Sequence, residues 1–277
     1  MNAFNRPALT ELDLHNRAPS VFATEAHHSR SERFVPVPTI HIVRGLVREG
    51  WLVTSAQQQK TRVADKAPFT KHMLRFRRLD SRELAVGDNL LELVLVNAND
   101  GAARYQLDAG IFRVACMNGM IVKSKDFGGV RVRHTGDAVR QVIEGSHEVL
   151  KSANKALTAP QDWSKIQLSE RERFAFAKGA AVERWGIDEN NNVLAPVGPD
   201  DLLRPRRTAD TGRDLWSTFN VLQENVTMGG QDGRTASGRR HTTRQIRGID
   251  QSMTVNRGLW QMAEWLADNR SIETVAA

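Results

Sequence analysis

Cysteine occurs once in these 277 residues, tyrosine once, and aromatic residues together make up only 6%. Each scarcity closes off a class of protein. A lone Cys116 cannot form an intramolecular disulfide or anchor a cysteine-rich zinc site, and it reads as a small buried hydrophobe. So few aromatics disfavour modules that stack bases on aromatic platforms, and the apolar neighbours of Phe34 and Phe76 predict core packing for both. Long apolar runs are missing too. Leu93 to Val96 is far short of the roughly 20 residues a membrane helix needs, and Met1 to Leu9 has no apolar stretch of the kind a secretory signal carries. The expectation is a cytoplasmic protein without a membrane partner. The glycines assemble neither into a phosphate loop ending in Lys-Ser/Thr nor into GxGxxG after a strand, so no nucleotide cofactor is expected. Carboxylates are not clustered as a metal-dependent nuclease requires, and His27, His28, His41 and His72 lack metal-ligand spacing. The chain reads as a non-enzyme with no metal and no cofactor.

What is present is positive charge, unevenly placed. The formal net charge is +7, and between Arg30 and Asp80 eleven Lys and Arg face four Asp and Glu, which accounts for the whole excess. Residues 120–160 add three more charges and residues 231–248 four, leaving the remainder mildly acidic. Clustered cations laid over strands form a footprint for a polyanion, because each neutralised phosphate releases a condensed counterion. The plain reading of such charge is a solvated face. Cationic patches also serve acidic proteins and membrane surfaces.

Periodicity sets out the organisation. Residues 1–36 read as a flexible arm. From Thr39 to Glu49 apolar residues recur at helical spacing and Gly50 stands at the capping position. Period-two patterns follow over Trp51 to Thr61 and Phe69 to Leu79, the second placing Leu74 and Phe76 on one side and Arg75 and Arg77 on the other. Leu90 to Asn97 reads as a central strand, and Asn99-Asp100-Gly101 turns the chain into Ala102 to Leu107. Ile111 to Ala115, Met120 to Lys125 and Gly128 to His134 extend the antiparallel pattern. A helix is predicted from an Asp137 cap through Leu150, and another over Ser169 to Trp185, opened by Ser169 with Glu172 at capping-box spacing. The Pro- and Gly-bearing stretch 186–212 reads as a linker, and residues 213–277 as a helical portion with Leu215, Phe219, Leu222 and Val226 on one stripe. The fold class is therefore α+β: an antiparallel sheet core with a packing helix over 37–185, then a helical C-terminal portion.

Asp108-Ala-Gly-Ile-Phe-Arg-Val-Ala-Cys-Met-Asn-Gly119, Leu215-Trp-Ser-Thr-Phe-Asn-Val-Leu-Gln-Glu-Asn225 and Asn256-Arg-Gly-Leu-Trp260 resemble the phage and plasmid family of unknown function numbered nine-three-two. That resemblance spans about Val37 to Leu266 and implies a mobile-element setting without an assigned activity. The order of helix Thr39 to Glu49, Gly50-Trp51, strand, basic strand and long helix also resembles the opening of Rad fifty-two type annealing proteins. Only Gly50 and Trp51 match as residues. Such a likeness implies homo-oligomeric rings that hold a phosphodiester backbone in a basic groove and leave bases free to pair.

The candidate nucleic-acid contacts are Lys71, Arg75, Arg77 and Arg78 on one strand, Lys123, Lys125, Arg131 and Arg133 on a second pair, and Arg239, Arg240 and Arg244 in a mobile Gly-rich loop. Same-face residues on a strand repeat every ~6–7 Å, close to the phosphate spacing of a single strand. The expected function is backbone binding of single-stranded DNA, with RNA or duplex DNA as related partners, promoting annealing in the recombination of mobile DNA. The other reading is a protein-interaction factor acting against host defence. Asp108, Arg113, Cys116 and Asn118 form a polar group whose plain reading is a turn with an ion pair. Catalysis by Cys116 with His134 as base requires a spatial meeting that the sequence does not show.

Overall fold

The structure, a computed structural model, describes residues 7–31, 34, 36, 38–78, 85–86, 89–103, 105–113, 119–122, 130–132, 138–153, 158–235 and 237–275. It divides into two compact units, Met1–Leu157 and Thr158–Ala277, and the fold is α+β. Among the described residues no helix is long and apolar enough to cross a membrane.

The first unit runs α1 (Glu11–Arg17), α2 (Thr39–Arg48), β1 (Trp51–Gln58), β2 (His72–Arg78), β3 (Ala85–Val86), β4 (Asn89–Asn97), β5 (Tyr105–Arg113), β6 (Gly119–Val122), β7 (Val130–Val132) and α3 (Ala138–Ala153). The strands form one antiparallel sheet in the order β1-β2-β4-β5-β6, with β3 also on β4 and β7 also on β5. One face carries Trp51, Val53, Leu74, Phe76, Leu93 and Leu95 toward α2, whose Ile42, Val43 and Leu46 are buried. Gly50 (φ 84°) ends α2 as its position predicts, because left-handed backbone costs glycine least. All nine residues of β4 are buried, so the sheet is covered on both faces at its centre.

The first 36 residues are not all arm. Thr10 and Asp13 close a capping box on α1, Leu14, Ala18 and Val21 are buried, and the Leu9 amide donates to the Val53 carbonyl at 2.8 Å, tying this segment to β1.

The second unit contains α4 (Ala159–Trp163), α5 (Glu170–Trp185), α6 (Pro199–Leu202), α7 (Leu215–Met228), β8 (Asp232–Arg234), β9 (Arg240–Thr242) and α8 (Ile249–Val275). The Ser169/Glu172 capping box opens α5. Helix α7 is buried on every side except at its ends, and Trp163, Trp216, Phe219 and Trp260 cluster around it with ring centroids 4.5–6.1 Å apart. The stretch read as a linker belongs to this unit. Asn225 on α7 donates to the carbonyls of Leu202 and Arg204 at 2.7 and 2.9 Å, and Val197 and Leu202 are buried, so proline and glycine shape a fixed loop there.

Candidate nucleic-acid interface

The two cationic regions that the structure describes differ in what surrounds them. In β2, alternation does put Arg75 and Arg77 on one face, opposite Leu74 and Phe76. That face is not solvent. Strand β2 lies between β1 and β4, and Glu92 on β4, fully buried, stands beside both arginines. Arg75 donates from Nε to Oε2 at 2.7 Å, and Arg77 donates from Nε and Nη2 to Oε1 at 3.0 and 2.7 Å. Thr54 Oγ1 adds a donor to the same carboxylate at 3.3 Å. Such charge-assisted, fork-like pairing is what allows ions to persist out of water. Register sets Asp108 in a row with Val94 and Arg75, and Gln106 donates to it, so the row continues as buried polar structure. Lys71 is buried, and Arg78 packs 6.0 Å over the Trp51 ring.

The expectation that Arg75 and Arg77 form an exposed cationic face is thus corrected: they are the internal counter-charges of Glu92. That glutamate was the missed residue. It sits inside the run Leu90 to Val96, where a single carboxylate among apolar neighbours with no turn signal marks a buried partner for arginine on an adjacent strand. Phe76 is core, as its neighbours predict. Arg131 lies in β7 with its side chain outside the description, and Lys123, Lys125, Arg133, Cys116, Asn118 and His134 lie outside the described residues altogether.

The C-terminal cations stand differently. The loop read as a mobile arm contains the antiparallel hairpin β8–β9, in which Arg234 pairs directly with Arg240, Gly233 with His241 and Asp232 with Thr242. Its base is clamped. The Gly230 amide donates to Thr243 at 2.7 Å, Thr243 donates back to Gln231 at 2.8 Å, and the Arg234 amide donates to Pro196 at 2.7 Å. A side chain at Gly229 (φ 62°) would strike the Arg244 backbone, and one at Gly233 would strike the Pro196 carbonyl, so glycine is required for both approaches. Arg206, reaching from the loop before α7, donates to the Gly229 carbonyl and to Asn225.

Arg234, Arg239, Arg240, Arg244 and Arg247 are all exposed on this clamped ribbon. Arg239, Arg240 and Arg244 have no ion-pair partner among the described residues. Asp232, on the hairpin itself, accepts a hydrogen bond from Thr242 Oγ1 at 2.6 Å. Beside the hairpin is a cleft of about 460 Å³ lined by Asp232, Gly233, Arg234, Arg240, His241 and Thr242. Like charges directly opposite on an antiparallel pair repel, and an anion bridging them removes the penalty.

The three motif stretches can now be compared with known sequences. A family model described as a domain of unknown function (DUF932) matches residues 26–260. The chain belongs to this family. Two relatives from Escherichia coli K12, the UPF0380 proteins YafZ and YfjQ, are each 41% identical to it over 262 residues, covering 95% of this chain and 92% of theirs. No solved structure matches, and the likeness to annealing proteins gains no support from these comparisons. In this DUF932 chain the two C-terminal motifs meet inside the second unit: Gln223 donates to Asn256 at 2.9 Å and Phe219 packs edge-on to Trp260 at 5.9 Å. Those residues build the core that carries the clamped hairpin.

Proposed function

We propose that this protein binds the phosphodiester backbone of nucleic acid, single-stranded DNA first, in the cytoplasm of a host cell and in the service of a mobile element. The contact surface is the β8–β9 hairpin with Arg239, Arg240 and Arg244, joined by Arg234 and Arg247. The observation that carries this reading is the exposed Arg234–Arg240 cross-strand pair, flanked by the exposed Arg239 and Arg244, which make no ion pair among the described residues. Two guanidinium groups side by side on a clamped ribbon, that of Arg234 held by the Gly238 carbonyl, present planar donor forks to phosphate, whereas the scarcity of exposed aromatics leaves bases unstacked. A backbone-only contact of this kind tolerates any sequence and is compatible with strand annealing by a homo-oligomer.

The test is fluorescence anisotropy with labelled oligo-dT and with a duplex across a salt series. The wild type should bind with log affinity falling steeply against log salt, by ~0.7 for each neutralised phosphate of a single strand. The double variant Arg239→Ala/Arg240→Ala should bind more weakly and lose about 1.4 from that slope. An unchanged slope removes the hairpin from the interface. Competition by heparin without any DNA-length dependence would instead favour an acidic protein as the partner.

A further inference from the structure

His27, His28 and Asp65 lie far from the hairpin in sequence and in the other unit, and their ligand atoms all fall within 4.8 Å of one another. Adjacent histidines followed by an aspartate 37 positions later make no recognisable metal spacing, so only the fold brings them together. His27 is held by its backbone and on two sides of its ring. Its backbone amide donates to the Asn99 carbonyl at 3.0 Å, its ring is edge-on to Phe69 at 5.5 Å, and its Nδ1 faces Ser29 Oγ at 2.8 Å. Ser29 Oγ is fixed in turn by Arg30, whose Nε and Nη2 donate to it. Asp65 opens the short turn Ala64–Phe69, which ends at the same Phe69. The His27 side chain is buried, while His28 and Asp65 are exposed, so the cluster is anchored at one corner and open to solvent at the others.

The separations are informative. His27 Nε2 and Asp65 Oδ2 share a long hydrogen bond of 3.3 Å, and His28 Nε2 lies 3.9 Å from the same oxygen. A charge-assisted N–H to carboxylate bond would close to about 2.7–2.9 Å. Donor atoms at the corners of a tetrahedron around zinc, with bonds of about 2.0–2.2 Å, stand about 3.4 Å apart. The His27 to Asp65 edge already has that length, and a small turn of the exposed His28 side chain brings the second edge to it. No hydrogen bond holds His28 to Asp65.

We infer that His27 Nε2, His28 Nε2 and Asp65 Oδ2 form a three-ligand site for a divalent transition-metal ion of the zinc class, with a solvent molecule as fourth ligand. Two imidazoles and one carboxylate are a donor set that zinc accepts and that calcium or magnesium, which take oxygen ligands, do not favour. The Ser29 amide donates to Nδ1 at 3.2 Å, so the ring proton now sits on Nε2. Coordination at Nε2 would move that proton to Nδ1, which would then donate to Ser29 Oγ in the manner of an outer-shell partner in exchange for the bond it now accepts from the Ser29 amide. The ion would pin the segment leading to α2 onto the turn before β2.

The experiment uses untagged full-length protein stripped with a chelator and titrated with zinc against a chromophoric competitor, with thermal melting in parallel. One saturable equivalent and a melting temperature that rises with zinc concentration are expected. His28→Ala removes an exposed side chain and should leave the metal-free melting temperature unchanged, and both it and Asp65→Asn, which keeps an oxygen for His27, should lower zinc affinity at least about ten-fold. Absence of a saturable equivalent in the wild type overturns the site. So does zinc affinity unchanged in both variants, which would place the ion elsewhere.

Discussion

Strand β2 and the hairpin β8–β9 are both arginine-rich, and by charge counting alone they are the same kind of segment. They end in opposite environments because of what lies on either side. Strand β2 is an interior strand of a seven-stranded sheet, and an interior strand has no solvent face unless the sheet is bare on one side. Its arginines remain charged because Glu92 came with them on β4. The hairpin is a two-stranded ribbon with no third strand, its own Asp232 accepts from Thr242, and its arginines are exposed. A cationic strand is therefore a candidate anion site only after its neighbouring strands have been searched for the carboxylate that would use up its charge. Predictions that separate the two regions differ in magnitude by an order.

The largest effect belongs to Glu92. Replacing it by glutamine should destabilise the first unit by about 3–5 kcal/mol, because Arg75 and Arg77 would lose the buried carboxylate that accepts from both. Urea unfolding followed by tryptophan fluorescence measures this. If Glu92→Gln cost less than about 1 kcal/mol, the two arginines would have to reach water, and β2 would return as a binding surface.

The same strand makes a second distinction on its other face. His72 is fully buried beside hydroxyls instead of a carboxylate: Ser20 Oγ lies 2.9 Å from Nδ1 and Thr39 Oγ1 2.8 Å from Nε2, with Asn97 donating to Thr39 at 3.0 Å. Burial pulls its pKa down to about 4, since hydroxyls cannot repay the desolvation of an imidazolium. The unfolded chain therefore binds a proton near pH 6.5 that the folded chain refuses until about pH 4. Stability is complete above pH 6.5 and is lost as the pH falls toward 4, by about 3 kcal/mol at most. The chevron midpoint measured between pH 7 and 4.5 should fall in the wild type, and His72→Gln should flatten that part of the profile. An unaltered profile would mean that His72 is not the group responsible.

How much of this was legible follows from the range of each signal. Helices α2, α5 and α7 and strands β1, β2 and β4 are readable because their periodicity and caps, such as Ser169 with Glu172, are local. The break between units is not: it falls between Leu157 and Thr158, where Pro160 stands alone, while the denser prolines and glycines of 196–205 are held by Asn225 from another helix. The site was half legible. Arg239, Arg240 and Arg244 are visible as charge, but the clamp at Gly229 and Gly233 and the pairing of Arg75 and Arg77 with Glu92 are contacts between distant segments. Strand β5 shows the same limit, since Ala102 to Leu107 and Ile111 to Ala115 read as separate segments yet Tyr105–Arg113 is one strand opposite β4.

The smallest effect is the most diagnostic for the hairpin. Arg240→Glu sets an acid directly across from Arg234 in place of a like charge, so the ribbon itself should become more stable by about 0.2–1 kcal/mol. Amide hydrogen exchange at Thr242 and Arg234 reports this local gain, and it should shrink with added salt as the charges are screened. DNA affinity should move the other way, falling by more than it does for Arg240→Ala, because the acid both removes a cation and occupies its neighbour. Stability rising while binding falls is the pattern of a surface whose charges are held against their own repulsion for an absent anion. Both quantities falling together would mean that Arg240 instead supports the ribbon, and the comparison with β2 would collapse into two structural uses of arginine.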